Sequence, residues 1–73
     1  MKKEEFLKKL GGNIKRLRSE KGLTQAELAR RCEKERASIE RIENGKINPS
    51  AYVLYEVAKG GELNIKDFFE GVE

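Results

Sequence analysis

The stretch "LTQAELARRCEKERASIERIENGKINPS", Leu23 to Ser50, contains two short amphipathic segments separated by three residues and followed by a chain-reversing Asn44-Gly45. Thr24 followed three residues later by Glu27 is the pattern of a capping box, in which each side chain accepts a hydrogen bond from the other residue's backbone amide. This pattern predicts a helix from Gln25 to about Cys32.

The second amphipathic segment predicts a helix from about Arg36 to Asn44, with Ile39 and Ile42 facing inward. Gly45 can adopt the left-handed conformation that ends a helix. Two helices this short and this tightly joined raise the question of what the second helix is meant to touch.

The rest of the chain also has helical periodicity. Apolar residues recur at three- and four-residue steps in the first part of the chain, which predicts a helix from about Lys3 to Lys21, ended by Gly22. That apolar stripe consists of Phe6, Leu7, Leu10, Ile14 and Leu17. Gly11-Gly12 lies within it, and we expect this pair either to interrupt the helix or to allow close packing.

Pro49 and Ser50 open a fourth predicted helix, and Asn64 with Asp67 can cap a last helical turn. The apolar positions of these two segments are Val53, Leu54, Val57, Ala58, Ile65, Phe68 and Phe69. We find neither a strand pattern nor an internal repeat. The sequence therefore predicts an all-α fold, a compact bundle of five short helices forming a single domain over residues 1–73.

Composition argues against several classes of protein. Histidine is absent and Cys32 is the single cysteine, so an internal disulfide cannot form and the commonest metal ligand is missing. The paired glycines, Gly11-Gly12 and Gly60-Gly61, lack the context of a phosphate-binding loop, so we interpret both pairs as helix interruptions or close-packing sites. We therefore expect no enzyme, no metal, no cofactor and no small-molecule ligand.

With no apolar run of about 18 residues and no secretory leader, we expect no membrane segment and a cytoplasmic location.

Charge is unevenly distributed along the chain. Residues 1–46 hold 14 Lys and Arg against 8 Asp and Glu, a net charge of +6, whereas residues 47–73 carry −3. Such an asymmetry favours a polyanionic partner for the first part of the chain, although a charge run is more often a solvated helix face.

Helical geometry indicates which face of the third helix is free. With Ile39 at the centre of the buried face, 100° per residue places Ala37, Glu40, Arg41 and Asn44 on the opposite side. An α-helix fits the DNA major groove, where side chains from one exposed face read base edges. Unpaired amides at the start of the second helix, near Thr24 and Gln25, favour a phosphate there.

Four segments carry a resemblance to a known family: "GGNIKRLRSEKGLTQAELA", "ASIERIENGKINPS", "LYEVAK" and "IKDFF", in this order and spacing. Over nearly its whole length, the chain resembles the lambda-repressor-like (Cro/C1, XRE) helix-turn-helix domains. The resemblance implies a helix-turn-helix at helices 2 and 3 that binds double-stranded DNA. It implies base reading by Arg36, Ala37, Glu40 and Arg41, phosphate contacts from Thr24, Gln25, Asn44, Gly45 and Lys46, and a structural salt bridge between Arg18 and Glu43.

The chain departs from the family pattern at four places. Glu33 stands where a turn glycine is usual, and Lys34 stands at an apolar turn position, where we expect its stem to cover the core and its ammonium to reach solvent. Glu35 replaces a Ser or Thr cap. Gly60-Gly61 replaces helix-forming and core residues, so we expect the fourth helix to end early or to pack loosely.

These observations predict a small transcriptional regulator, a repressor that binds palindromic operators as a homodimer. We expect the dimer surface in the acidic, aromatic C-terminal part, although Phe68 and at least one of Tyr52 and Tyr55 are expected in the core. The alternative is a protein-interaction module of the same fold, antitoxin-like or coactivator-like, which the acidic residues around the turn favour.

Overall fold

The computed structural model describes all 73 residues and contains four α-helices, one 3₁₀ helix and no strand. The elements are α1 (Lys3–Glu20), α2 (Gln25–Arg31), α3 (Arg36–Glu43), α4 (Ala51–Gly61) and the 3₁₀ helix Ile65–Phe69. The predicted all-α fold is confirmed, with the fifth element a 3₁₀ helix. None of the helices combines the length and the apolar character needed to cross a lipid bilayer.

Side-chain caps set the starts of three elements. The capping box is complete, because the Glu27 amide donates to Thr24 Oγ1 at 3.1 Å and the Thr24 amide donates to Glu27 Oε1 at 2.9 Å. Ser50 accepts from the amide of Val53, and Asn64 accepts from the amide of Lys66. Each of the first three helices ends one residue earlier than predicted, with Lys21, Cys32 and Asn44 as C-caps.

The core lies where all five elements meet. Its fully buried side chains come from every element, so each helix buries its apolar face only by packing against its neighbours. The largest are Leu10, Ile14, Leu28, Ile39, Val57 and Phe68.

The Gly11-Gly12 pair does not interrupt α1, which runs unbroken through both residues. Gly11 is buried, and a Cβ at this position would overlap the carbonyl oxygen of Ile42 and lie 2.6 Å from that of Glu43. Gly12 faces solvent, with nothing near its missing Cβ. Gly11 therefore lets α1 lie directly on the end of α3.

The fourth helix does not end early, and the prediction of early termination or loose packing is wrong. It continues to Gly61, where the left-handed Glu62 (φ 55°) ends it. A Cβ at Gly60 would lie 2.7 Å from Cys32 Sγ, and one at Gly61 would lie 2.9 Å from Leu28 Cδ1. The two glycines bring α4 into close contact with α2. Helix propensity describes single residues and does not include this packing.

The prediction that at least one tyrosine is buried is also wrong. Tyr52 is 66% exposed and Tyr55 is 49% exposed, and their ring centroids lie 5.9 Å apart on the outer face of α4. Phe68, in contrast, is completely buried, as predicted.

The two glycines of α1 give a matched pair of substitutions. Gly11→Ala should lower the free energy of unfolding by about 1–3 kcal/mol, because the new methyl group meets backbone carbonyls that cannot move aside independently. Gly12→Ala should raise it by about 0.5–1 kcal/mol, because alanine is the better helix former and the position is open. Urea denaturation of both variants measures the difference. Equal effects would contradict the close approach of α1 and α3.

Candidate nucleic-acid interface

The two sides of α3 have different environments. Ile39 and Ile42 are buried in the core, with 1% and 3% of their surface exposed. The four residues that the family resemblance assigns to base reading lie on the opposite side and are exposed: Arg36, Ala37, Glu40 and Arg41. The helix thus presents a polar side to solvent and an apolar side to the core.

A buried ion pair joins α3 to α1. Arg18 Nε donates to Glu43 Oε2 at 2.7 Å, and Arg18 Nη2 donates to Glu43 Oε1 at 3.1 Å. The Glu43 side chain is fully buried and that of Arg18 is 10% exposed. Arg18 Nη1 also donates to the carbonyl oxygen of Leu23 at 2.7 Å, so the guanidinium spans α1, α3 and the segment before α2. This two-point geometry restricts rotation of α3 relative to α1.

Gln25 is part of the same network, a contact that sequence reasoning missed. Its Nε2 donates to Glu43 Oε1 at 2.9 Å, so one carboxylate oxygen accepts from both Arg18 and Gln25. An amide nitrogen carries two protons, and the second proton remains for another acceptor. The buried carboxylate therefore orients the side chain that the resemblance assigns to a DNA phosphate. Spacing along the chain carries no signal for this contact.

The start of α2 has a fixed local geometry. Thr24 uses its hydroxyl and its backbone amide in the capping box, whereas the next two amides, of Gln25 and Ala26, have no acceptor in the chain. The Thr24 amide and hydroxyl hold the pKa of Glu27 below its usual value, so the carboxylate that closes the box stays ionised. Both free amides are at the positive end of the helix dipole.

The turn between α2 and α3 follows the Schellman pattern with an unusual residue. The Glu33 amide donates to the Arg30 carbonyl at 3.2 Å, the Lys34 amide donates to the Ala29 carbonyl at 2.8 Å, and Glu33 is left-handed with φ 56°. Glycine usually takes this position, and an L-residue there costs about 1 kcal/mol. The backbone thus forms a turn of the kind that usually carries glycine, although glutamate occupies that position.

Lys34 is partly exposed, and its ammonium forms an ion pair that sequence reasoning missed. Its Nζ lies 2.7 Å from Glu56 Oε1 of α4, and both side chains are partly buried. The hydrogen bond that Lys34 donates to the Glu56 carboxylate raises the pKa of Lys34 above its usual value. The pair connects the turn to α4. Glu35, the N-cap of α3, makes no side-chain capping bond.

The loop after α3 has the same Schellman pattern, here with glycine in the left-handed position. Gly45 has φ 69° and its amide donates to the Ile42 carbonyl at 3.1 Å, while the Lys46 amide donates to the Arg41 carbonyl at 2.9 Å. The side chains of Asn44 and Lys46 are exposed beside the end of α3. The structure therefore brings the predicted loop residues next to the predicted reading face.

Comparison with known proteins shows the family. The HTH_3 (helix-turn-helix) family model matches residues 14–68. The chain therefore belongs to the XRE-type helix-turn-helix family of DNA-binding transcriptional regulators, and the relatives that it matches are regulators, not enzymes.

Individual relatives agree with this assignment. The HTH-type transcriptional regulator y4dJ of Sinorhizobium fredii is 42% identical over 55 residues, covering 75% of this chain and 71% of the relative. An HTH-type transcriptional regulator of Archaeoglobus fulgidus is 38% identical over 56 residues, covering 77% and 80% of the two chains.

Solved structures give the same result. The restriction-modification controller protein C.AhdI from Aeromonas hydrophila superimposes with a TM-score of 0.82 at 28% identity, covering 86% of this chain and 96% of that one. The controller protein C.Esp1396I superimposes with a TM-score of 0.80 at 37% identity, covering 89% and 83%.

The buried ion pair should be far more important for stability than an exposed one. Arg18→Met should lower the free energy of unfolding by about 3 kcal/mol, because it leaves the Glu43 carboxylate buried without its cation. Arg16→Met removes an arginine whose ion pairs with Glu20 and Glu70 are exposed, and should change stability by no more than about 0.5 kcal/mol. Thermal unfolding compares the two.

A double substitution tests the cause of that loss. Combining Arg18→Met with Glu43→Leu removes the stranded charge and should recover most of the stability lost in Arg18→Met. Failure to recover any would show that the loss arises from packing of the arginine stem.

Proposed function

We propose that the protein binds specific sequences of double-stranded DNA and represses transcription by occupying operators. The supporting observation is the exposed polar face of α3, held in place by the Arg18–Glu43 ion pair. Arginine can pair with guanine O6 and N7, glutamate can accept from cytosine N4, and the alanine methyl can contact thymine. A regulator of this kind acts where the DNA is, and we place it in the cytoplasm.

Phosphate contacts on both sides of the reading helix would fix its docking angle. At the start of α2, the free amides of Gln25 and Ala26 and the Gln25 side chain offer one group of donors to the DNA backbone, beside Thr24, whose capping box fixes the local geometry. After α3, the second group consists of Asn44, Gly45 and Lys46. Because phosphate contacts carry no sequence information, these residues would set affinity and register while α3 sets preference.

We propose that the repressor acts as a homodimer on palindromic operators. The eight residues of α3 span about 12 Å, enough for only a few base pairs. Two copies reading half-sites about 34 Å apart would supply the missing affinity and specificity. Tyr52 and Tyr55 offer an exposed aromatic surface on α4 for the dimer. Phe69 of the 3₁₀ helix is also partly exposed, whereas the buried Phe68 cannot take part.

Selection of bound sequences from a random DNA pool tests this function. The expected result is a palindromic consensus whose half-sites are one helical turn apart. Binding should also weaken steeply with salt, by about 0.9 in log affinity per log salt for each neutralised phosphate.

A pool without enrichment and an affinity independent of salt would contradict DNA binding. That outcome would favour the alternative, a protein-interaction module built on the same fold.

Substitutions on the two kinds of site should have different signatures. Arg36→Ala and Arg41→Ala should each relax preference at particular base positions by about 1–3 kcal/mol, whereas Gln25→Ala should weaken binding to all sequences alike. Arg16→Ala is the control, because Arg16 pairs with Glu20 and Glu70 away from α3. Binding assays on an operator and its single-base variants measure this. Uniform losses from all three variants would mean that the reading face is assigned wrongly.

A further inference from the structure

The first half of α1 lies against the loop that follows α3. A Cβ at Gly45 would lie 2.9 Å from the backbone nitrogen of Lys8 and 3.0 Å from its Cα. One turn further along α1, Gly11 packs on the carbonyls of Ile42 and Glu43. The backbone of α1 at Lys8 is therefore in van der Waals contact with the loop that we assign to phosphate binding.

Neighbouring lysines on α1 point to different flanks of the helix. At 100° per residue, Lys8 is about 60° from Gly11 around the helix axis, whereas Lys9 is about 160° from it. The structure agrees, because a Cβ on Gly71 at the C-terminus would lie 2.6 Å from Lys9 Cε and 3.0 Å from Lys9 Nζ. Lys8 is thus on the flank beside α3, and Lys9 is on the flank beside the C-terminal segment.

The charge on the α3 flank is not used within the protein. The ion pairs of the molecule involve Arg16, Arg18 and Lys34, and none includes Lys8 or Lys46. Both of these lysines are exposed. Glu4, one turn before Lys8, forms no ion pair with it. Two lysines without an ion-pair partner therefore lie beside Gly45: Lys8 of α1, whose backbone contacts it, and Lys46, the next residue of the loop.

We propose that Lys8 contacts a phosphate of the same DNA strand as the Asn44–Lys46 loop, which extends this phosphate-binding surface from the loop onto α1. The inference rests on the proposed DNA binding and adds to it a residue outside the helix-turn-helix. A lysine side chain is a flexible point charge, so its contact strengthens binding to every sequence without changing preference.

The test compares Lys8→Gln with Lys9→Gln, which remove the same charge from adjacent positions of one helix. Affinity for a random-sequence duplex and for a selected operator is measured as a function of salt. Lys8→Gln should reduce the salt slope by about 0.9, which corresponds to about an eightfold loss of affinity at ~0.1 M salt. Lys9→Gln should keep the wild-type slope and stay within about twofold in affinity, and Lys8→Arg should retain the slope of the wild type.

Equal losses from Lys8→Gln and Lys9→Gln would overturn the inference, because the lysine would then act only through the net charge of the protein. An unchanged slope in Lys8→Gln would overturn it too, while leaving DNA binding intact. Salt-independent binding by the unsubstituted protein would be a failure of the proposed function itself. Thermal unfolding of both variants should match the wild type, since both side chains are exposed.

Discussion

The carboxylate of Glu43 is fully buried, and its interactions constrain the rest of the structure. An isolated charge in that place would cost several kcal/mol, so it requires cationic and hydrogen-bonding partners with good geometry. Arg18 supplies two donors from α1, and Gln25 supplies a third from the start of α2. Three helices must therefore be correctly placed relative to one another for this one carboxylate to have its hydrogen-bond partners. That requirement fixes the orientation of α3 and, with it, the direction of the exposed polar face that we propose to read DNA.

Close backbone contact completes the same arrangement. Gly11 removes the side chain that would separate α1 from the end of α3, and Gly45 does so for the following loop. On the other side of the helix-turn-helix, the Lys34–Glu56 pair connects the turn to α4. The rest of the protein thus supports α3 on its buried side and at both ends, while its polar side stays in contact with solvent. Such rigid support suits a function in which the protein must match a preformed groove.

Local signals in the sequence predicted the helices well. The features that sequence reasoning missed depend on tertiary contacts. The capping box at Thr24, the left-handed Gly45 and the apolar periodicity are properties of short segments, so helix ends were right to within one residue. The prediction that α4 ends early at Gly60-Gly61 was wrong because the low helix propensity of glycine is a local property. The close packing of α4 on α2, which requires residues without a side chain, is not visible in the local sequence. The other features depend on contacts between elements that are distant in sequence, and a single sequence does not show such contacts. These features are the exposure of both tyrosines and the contacts Gln25–Glu43 and Lys34–Glu56.

We propose that the Arg18–Glu43 pair holds α3 with Glu40 and Arg41 facing the major groove. The most direct test is an NMR titration of the ¹⁵N-labelled protein with a DNA duplex that it binds. We expect the largest amide shift changes on the first turns of α3, the start of α2 and the loop of residues 44–46. Changes confined to the outer face of α4, around Tyr52 and Tyr55, with α3 unaffected, would contradict it.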